Sequence, residues 1–236
     1  MSVINQVSFL RHGAFFGPED ASGKFLNIIG AGATGSWVAL LAAKMGWHNF
    51  KIWDADIVES HNLPNQVYNL SHVGQPKVTA LKEVLETFNP QVNVQTFNHF
   101  FDGNDLSHSS ELEDYVFVAV DSLSARKEIA SSLIYHPFVH TMFETKMGFS
   151  HAILNIIKTD NKEKMTNFVD LLKSDDEVTE SACNERIITT LTNIVSSNVV
   201  HALCMHAAED RNPQQKSEYY GQHIFSLNNS QLTVFK

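Results

Sequence analysis

The sequence predicts a doubly wound α/β fold: a mostly parallel sheet with helices on both faces and an antiparallel extension at its C-terminal end. Three observations carry this. A short apolar run, Phe25–Ile29, ends in a glycine cluster and is followed by an Ala- and Leu-rich segment and a second apolar run ending at Asp54. Strand-like and helix-like segments keep alternating through Ser132, the pattern of parallel strands joined by crossover helices. Near the end, His223–Phe235 carries Asn228-Asn229 at its middle, as a hairpin does.

Phe25–Ile29 reads as a buried strand feeding a turn. Ser36–Met45 reads as a helix stopped by Gly46, and Phe50–Trp53 as the second strand. Pro76–Phe88 follows as an amphipathic helix, with Val78, Leu81, Val84, Leu85 and Phe88 on one side and Asn89-Pro90 closing it. Val92–Phe97 alternates as a strand does. Tyr115–Val120 is a continuous apolar strand reaching Asp121, and Ser122 caps a helix running to about Ser132. Phe138–Met142 and His151–Ile157 add strands, and Ile187–Ala208 reads as a long buried helix. The polar stretches near Asp160–Lys164 and Asp210–Ser217 are the segments least able to bury a face. Together these suggest one unit over 1–236: an N-terminal arm (1–24), a nucleotide-binding core (25–160), and a crossover region, long helix and C-terminal hairpin (161–236).

The chain has 236 residues, 43% hydrophobic and 18% charged, enough for one large α/β domain. Its formal charge of −9 disfavours nucleic acid as a general partner while permitting one nucleotide in a local pocket. Two cysteines, Cys183 and Cys204, imply neither a disulfide framework nor a tetrathiolate zinc site, and fit a reducing cytoplasm. Met1–Leu10 lacks the basic start and long apolar core of a signal peptide. The most apolar stretch contains Asn193, Asn198 and His201, so no membrane span is expected. The scattered histidines form no H-x-x-H or H-E-x-x-H pair.

Gly30-Ala31-Gly32-Ala33-Thr34-Gly35 is a G-x-G-x-x-G loop between a strand and a helix, the Rossmann-like fingerprint. Gly30 permits the tight turn, Gly32 lets backbone approach a phosphate or ribose, and Gly35 lets the helix pack on the sheet. Asp54, 19 residues beyond Gly35, stands where a carboxylate accepts from ribose hydroxyls. This much fits NAD and ATP equally. The loop Asp54–Gln66, with Asp56, Asn62 and Gln66, places carboxylates and amides past the strand end, and side-chain amides can bond phosphate oxygens. Lys77 can set a cation near a polyphosphate, and Asp121, with Arg126 five residues on, can hold Mg²⁺. Hydride transfer requires neither.

In this order and spacing, Gly30–Gly35, Asp54–Gln66, Val73–Lys77 and Asp121–Arg126 resemble the ubiquitin-activating-enzyme-like superfamily, in its small bacterial branch of ThiF, MoeB and HesA adenylyltransferases. The resemblance covers about Phe25–Arg126 and continues weakly into the long helix. It implies ATP and Mg²⁺, attack of a carboxylate on the α-phosphate, and a ubiquitin-like or sulfur-carrier acceptor ending in Gly-Gly. By position Asp54 would hold the ribose, Asn62 and Lys77 the phosphates, and Asp121 the metal. Arg11 would reach a partner subunit's ATP within a homodimer. Cys183, in the crossover region, would take the acyl group as a thioester or persulfide, while Cys204 reads as a packing residue.

The chain departs from the pattern at Asn65, where the family has arginine, at His61, where it has serine, and at Ser122, where asparagine is common. The paired C-x-x-C cysteines of many relatives are absent, so no structural zinc is expected. Three other readings remain open at this level: a non-catalytic binding scaffold, adenylation of a carboxylate on a modified tRNA base, and an NAD oxidoreductase sharing the glycine loop.

Overall fold

The structure is a computed structural model that describes residues 7–148, 150–173, 189–209, 220–227 and 230–235. Eight strands form one sheet in the order β3-β2-β1-β4-β5-β6-β7-β8. The first five are β1 (Phe25–Ile29), β2 (Asn49–Trp53), β3 (Asn93–Phe97), β4 (Asp114–Val118) and β5 (Val139–Met147), and they pair in parallel. The remaining three, β6 (His151–Lys158), β7 (Gly221–Ser226) and β8 (Gln231–Phe235), complete the sheet antiparallel. Connections run outward in both directions from the β1–β4 pair, so the sheet reverses its winding there and opens a crevice above the carboxyl ends of the strands.

Helices cover both faces. On one lie α1 (Ala33–Met45), α2 (Lys77–Phe88) and α6 (Thr189–Ala207), packed on Leu26, Ile28, Phe50, Ile52 and Phe117. On the other, α4 (Leu123–Ser132) and α5 (Lys162–Leu171) cover Ile29, Trp53, Val116, Val118 and Met142. The alternation of strand residues between two buried sets is why the central strands read as continuous apolar runs. In α1, Ala39, Ala42 and Ala43 are fully buried, and these small side chains let α6 approach with Val195, Val199, Ala202 and Leu203.

The expected elements recur with bounds adjusted by capping. α1 begins at Ala33 rather than Ser36 because Gly32 is its N-cap, and it stops where Gly46 takes φ +110°. Ser122 accepts from Ala125 N–H at 3.1 Å and starts α4 as predicted. β5 runs on to Met147, past the predicted end at Met142, because β6 pairs with it from Thr141 through Met147, beyond Glu144 where its pairing with β4 ends. The stretch Asp160–Lys164, expected to lack structure, instead starts α5. Asn161 caps it by accepting from Lys164 N–H at 3.0 Å, and Met165, Val169 and Leu172 bury its inner side. The short α3 (Leu106–Ser110) was not predicted; Asp105 caps it by accepting from Ser107 N–H at 2.8 Å. The predicted helix start at Ile187 and the Asn228-Asn229 turn lie outside the described residues, as does Asp210–Ser217. Among the described residues, no helix is long and apolar enough to cross a membrane.

A buried polar chain ties the parallel half to the extension. The Arg126 guanidinium, from α4, donates to Glu144 on β5, to Thr145 O at 2.5 Å and to Val120 O. Glu144, 1% exposed, spends its other oxygen on Asn155 of β6 at 2.6 Å, and Asn155 accepts from Gln222 of β7 at 3.0 Å. Removing one partner of such a pair leaves an uncompensated buried charge. Arg126→Met should therefore lower stability by about 3–5 kcal/mol. Combining it with Glu144→Gln, which keeps an acceptor for Asn155, should restore much of that loss. Urea unfolding midpoints of the single and double variants test this, and equal losses in both would refute it.

Candidate functional site

The site gathers at the carboxyl ends of three adjacent strands. The glycine loop follows β1, Asp54 follows β2 and Asp121 follows β4. Gly30 has φ +101°, and a Cβ there would sit 2.7 Å from Ala119 O, so only glycine makes this turn. A Cβ on Gly35 would fall 1.8 Å from Gly30 O, so glycine alone lets α1 start this close to its strand. A Cβ on Gly32 would meet nothing within 4 Å. Gly32 thus borders open space at the N-terminus of α1, where unpaired N–H groups favour an anion.

Ala31, between these glycines, is held from two sides. Its N–H donates to Asp54 Oδ2 at 2.7 Å, and its carbonyl accepts from the Tyr68 hydroxyl at 2.7 Å. The other Asp54 oxygen accepts from Asp56 N–H at 2.8 Å. Burial holds the Asp54 carboxyl above its ordinary range, opposed by nearby Lys77 and by these two N–H groups. Burial, aided by the Asp54 charge, likewise pushes the Tyr68 phenol well above its ordinary value. Sequence reasoning missed Tyr68, because a lone tyrosine in a polar loop has no spacing to mark it.

Residues 57–76 leave the sheet and return as a closed excursion. Val58 N–H bonds Gln75 O at 2.8 Å, Gly74 N–H bonds Val58 O at 2.8 Å, and Lys77 N–H bonds Asp56 O at 2.9 Å. Gly74 takes φ +89° to close it. The excursion brings Lys77 Nζ to 2.7 Å from Asp56 Oδ2 at the start of α2. A cavity of about 400 Å³ opens here, lined by Asp56, Glu59, His61, Asn62 and Lys77 among others. Asn62 Oδ1 accepts from Glu59 N–H at 2.9 Å, so the side chain sets its own turn on the cavity wall.

The same loop is strapped over the first turns of α1. Trp37 Nε1 donates to Asn65 O at 3.0 Å, and Val67 N–H to Ser36 Oγ at 3.4 Å. Gln66 is buried beside it, and among the described residues its Oε1 has no hydrogen-bond partner, nor has Asn65 Oδ1. Buried acceptors without donors are costly, and these two are a strained point of the loop. Asp121 is exposed at the end of the β4 segment, one oxygen accepting from Ser122 N–H at 2.9 Å. The described residues contain no group of three or more His, Cys, Asp or Glu able to hold a metal. Mg²⁺ needs no such cage: one or two carboxylates and a polyphosphate suffice.

Asp56, Asn62 and Lys77 thus line one cavity, Gly30, Gly32, Gly35, Asp54 and Asp121 sit at or just past the carboxyl ends of three adjacent strands, and Gln66 is buried in the loop strapped over α1. Arg11 does not join them. It is exposed on an arm whose His12 bonds Met45 O at 3.2 Å, at the C-terminal end of α1. That end lies roughly 20 Å along the helix from the glycine loop. Any role for Arg11 would therefore be in a second subunit's site. Cys183 lies outside the described residues. Cys204 is 1% exposed within α6, and burial raises its thiol far above the ordinary value, as for a packing residue.

The comparisons with known proteins fit this geometry. A model described as "ThiF family" matches residues 18–236. The molybdopterin-synthase adenylyltransferase of Escherichia coli (strain K12) is 28% identical over 126 residues, 53% of this chain and 51% of that protein. The tRNA threonylcarbamoyladenosine dehydratase of Bacillus subtilis (strain 168) is 31% identical over 96 residues, 36% of this chain and 38% of that protein. The SUMO-activating enzyme subunit 2 of Dictyostelium discoideum is 30% identical over 106 residues, 43% of this chain and 16% of that protein. The chain thus spans about half the length of the first of these relatives and less of the others. Among solved structures, that of PaaA superposes with a TM-score of 0.71 at 22% identity, covering 93% of this chain and 65% of the other. E. coli MccB with ATP gives 0.71 at 13% identity over the same shares, 93% and 65%.

The glycine contacts separate two roles by stability alone. Gly35→Ala should cost about 1–3 kcal/mol, the usual cost of overpacking, because helix and strand must part. Gly32→Ala should stay within about 0.5 kcal/mol of the parent, since its side chain meets no protein atom. Thermal unfolding of both variants is the measurement, and comparable losses would contradict the assignment.

Proposed function

The chain belongs to the ThiF family, and from that premise we propose that it adenylates a carboxylate with ATP and Mg²⁺. The observation that carries this reading is the crevice itself. An open glycine cradle at a helix N-terminus, a buried carboxylate, a lysine and a strand-end aspartate converge on one edge of the sheet. The acceptor we propose is the C-terminal carboxylate of a ubiquitin-like or sulfur-carrier protein ending in Gly-Gly.

The α1 N-terminus and the glycine-loop backbone receive the phosphates, and Gly32 leaves room for them. Asp54 accepts from the ribose hydroxyls while fixing Ala31 in place. Lys77 exchanges its contact with Asp56 for phosphate oxygens and neutralises charge that builds up during transfer. Asn62 and Gln66 add neutral donors. Asp121 would hold Mg²⁺, which when bound supplies charge neutralisation on the polyphosphate. A carboxylate oxygen attacks the α-phosphorus, the bond to pyrophosphate breaks, and an acyl adenylate forms without any proton transfer. In a homodimer Arg11 reaches the other subunit's ATP. Cys183 then takes the acyl group as a thioester, with AMP as the leaving group.

Asn65 favours a second reading, a slow enzyme or a non-catalytic scaffold, because it puts an amide where a cation would add charge stabilisation. A carboxylate on a modified tRNA base is the other acceptor worth testing, given the name of the B. subtilis relative, although a charge of −9 opposes RNA binding.

Mg²⁺ with ATP should raise the melting temperature in a concentration-dependent way, NAD should not, and Gly32→Ala should blunt the ATP response. Asp121→Asn should keep the fold and lose about 10²-fold or more in pyrophosphate exchange into ATP with Gly-Gly-ended proteins. A response to NAD in place of ATP would refute the reading. For the thiol, Cys183→Ala should abolish a hydroxylamine-sensitive acceptor adduct while sparing pyrophosphate exchange, because adenylation precedes thiol attack. Complete acceptor transfer by that variant would remove Cys183 from the mechanism.

A further inference from the structure

The upper half of β5 holds a cation that the site described above does not use. Glu144 stands opposite Val118, the last residue of β4, so Thr145, Lys146 and Met147 continue past the end of that strand. Arg126 bridges the gap, donating to both Thr145 O and Val120 O. Lys146 is thereby fixed beside the segment that carries Asp121, at the crevice edge of the sheet.

Lys146 lies on the same face as Glu144, two residues along the strand, and it is half-buried. Glu144 cannot serve as its direct partner, because one oxygen is taken by Arg126 and the other by Asn155. Among the described residues the Lys146 ammonium has no hydrogen bond or ion pair. Its cross-strand neighbour is the apolar Ile153. Burial, the largest influence, lowers its pKa, Glu144 opposes this and Arg126 adds to it. A half-buried cation whose nearest carboxylate, Glu144, is already committed to Arg126 and Asn155, at the edge of a ligand crevice, is suited to a further anion.

Position selects which anion. Neighbouring strands lie about 4.8 Å apart, so β5, two strands from β1, is about 10 Å from the glycine loop and farther from Lys77 at the β2 side. On the adenylation reading the loop and Lys77 take the phosphates, and Lys146, on the next strand beyond Asp121, lies across the crevice from Lys77. We propose that Lys146 docks the acceptor's carboxylate for its attack on the α-phosphorus. This rests on the adenylation reading and adds a residue to it. One carboxylate oxygen becomes the bridging oxygen of the mixed anhydride as pyrophosphate leaves. The other remains within reach of the ammonium as the acyl carbonyl, and Lys146 keeps its protons throughout.

The test uses 5′-O-[N-(acetylglycyl)sulfamoyl]adenosine, a stable stand-in for an acyl adenylate, alongside AMP and ATP. Lys146→Met and Lys146→Gln should each weaken the acyl analogue by about tenfold or more, the weight of a hydrogen bond from a charged donor. AMP and ATP binding should be unchanged, and Lys146→Arg should retain most of the affinity for the analogue. Thermal unfolding without ligand reports any damage to the fold separately. If Lys146 only lays its stem along Ile153, all three ligands will bind both variants as they bind the parent, and the proposal is overturned while the adenylation reading stands. If the parent binds none of the three, both fall together.

Discussion

Ala31 occupies a position where two demands on the backbone meet. Gly30 and Gly35 must approach so closely that no side chain fits between them, and this points the start of α1 at the crevice. Such a bare turn has little packing of its own. Asp54 and Tyr68 supply the missing rigidity through one hydrogen bond each, to the N–H and the carbonyl of Ala31. Their carboxyl and phenol are buried to do so, and both shift in pKa as a result. A loop held in this way presents its N–H groups in a fixed arrangement before any ligand arrives, which is the condition for electrostatic stabilisation without reorganisation.

A second set of contacts supports the far wall of the crevice. Arg126 reaches from α4 to the ends of β4 and β5, and the chain continues through Glu144 and Asn155 to Gln222. Buried ionic networks add little net stability over apolar packing, but they permit few alternative arrangements. Here the network spans the junction between the parallel half and the antiparallel extension. Arg126 braces the segment that leads to Asp121, and Glu144 lies two residues from Lys146 on β5.

The relation between Lys77 and Asp56 shows how the two walls differ. On the α2 side, cation and carboxylate are already paired at 2.7 Å, so a phosphate must displace an existing partner. On the β5 side, the carboxylate is committed elsewhere, and among the described residues the ammonium makes no direct hydrogen bond or ion pair. The first arrangement suits a ligand with several charges, whose other contacts offset the exchange. The second suits a single anionic group.

Much of this was legible in the sequence, because backbone constraints and buried periodicity are local. The glycine spacing, the apolar runs of β1, β2 and β4, the cap at Ser122 and the stop at Gly46 each follow from properties of a few consecutive residues. The positions of Asp54 and Asp121 follow from strand ends, which those runs define, and that of Lys77 from the helix start after Pro76. The tertiary structure decided what depends on distant parts meeting. Tyr68 matters only because a loop folds back onto Ala31, and Arg126 is a clamp rather than a surface charge only because β5 passes beneath it. Arg11 is separated from its own crevice by the length of α1. The start of α5 went unpredicted because its capping residues are polar and its buried side chains become informative only against a neighbouring sheet. Short-range patterns fix where the chain can turn and which face it hides, whereas side-chain partners are chosen by the long-range packing that brings those faces together.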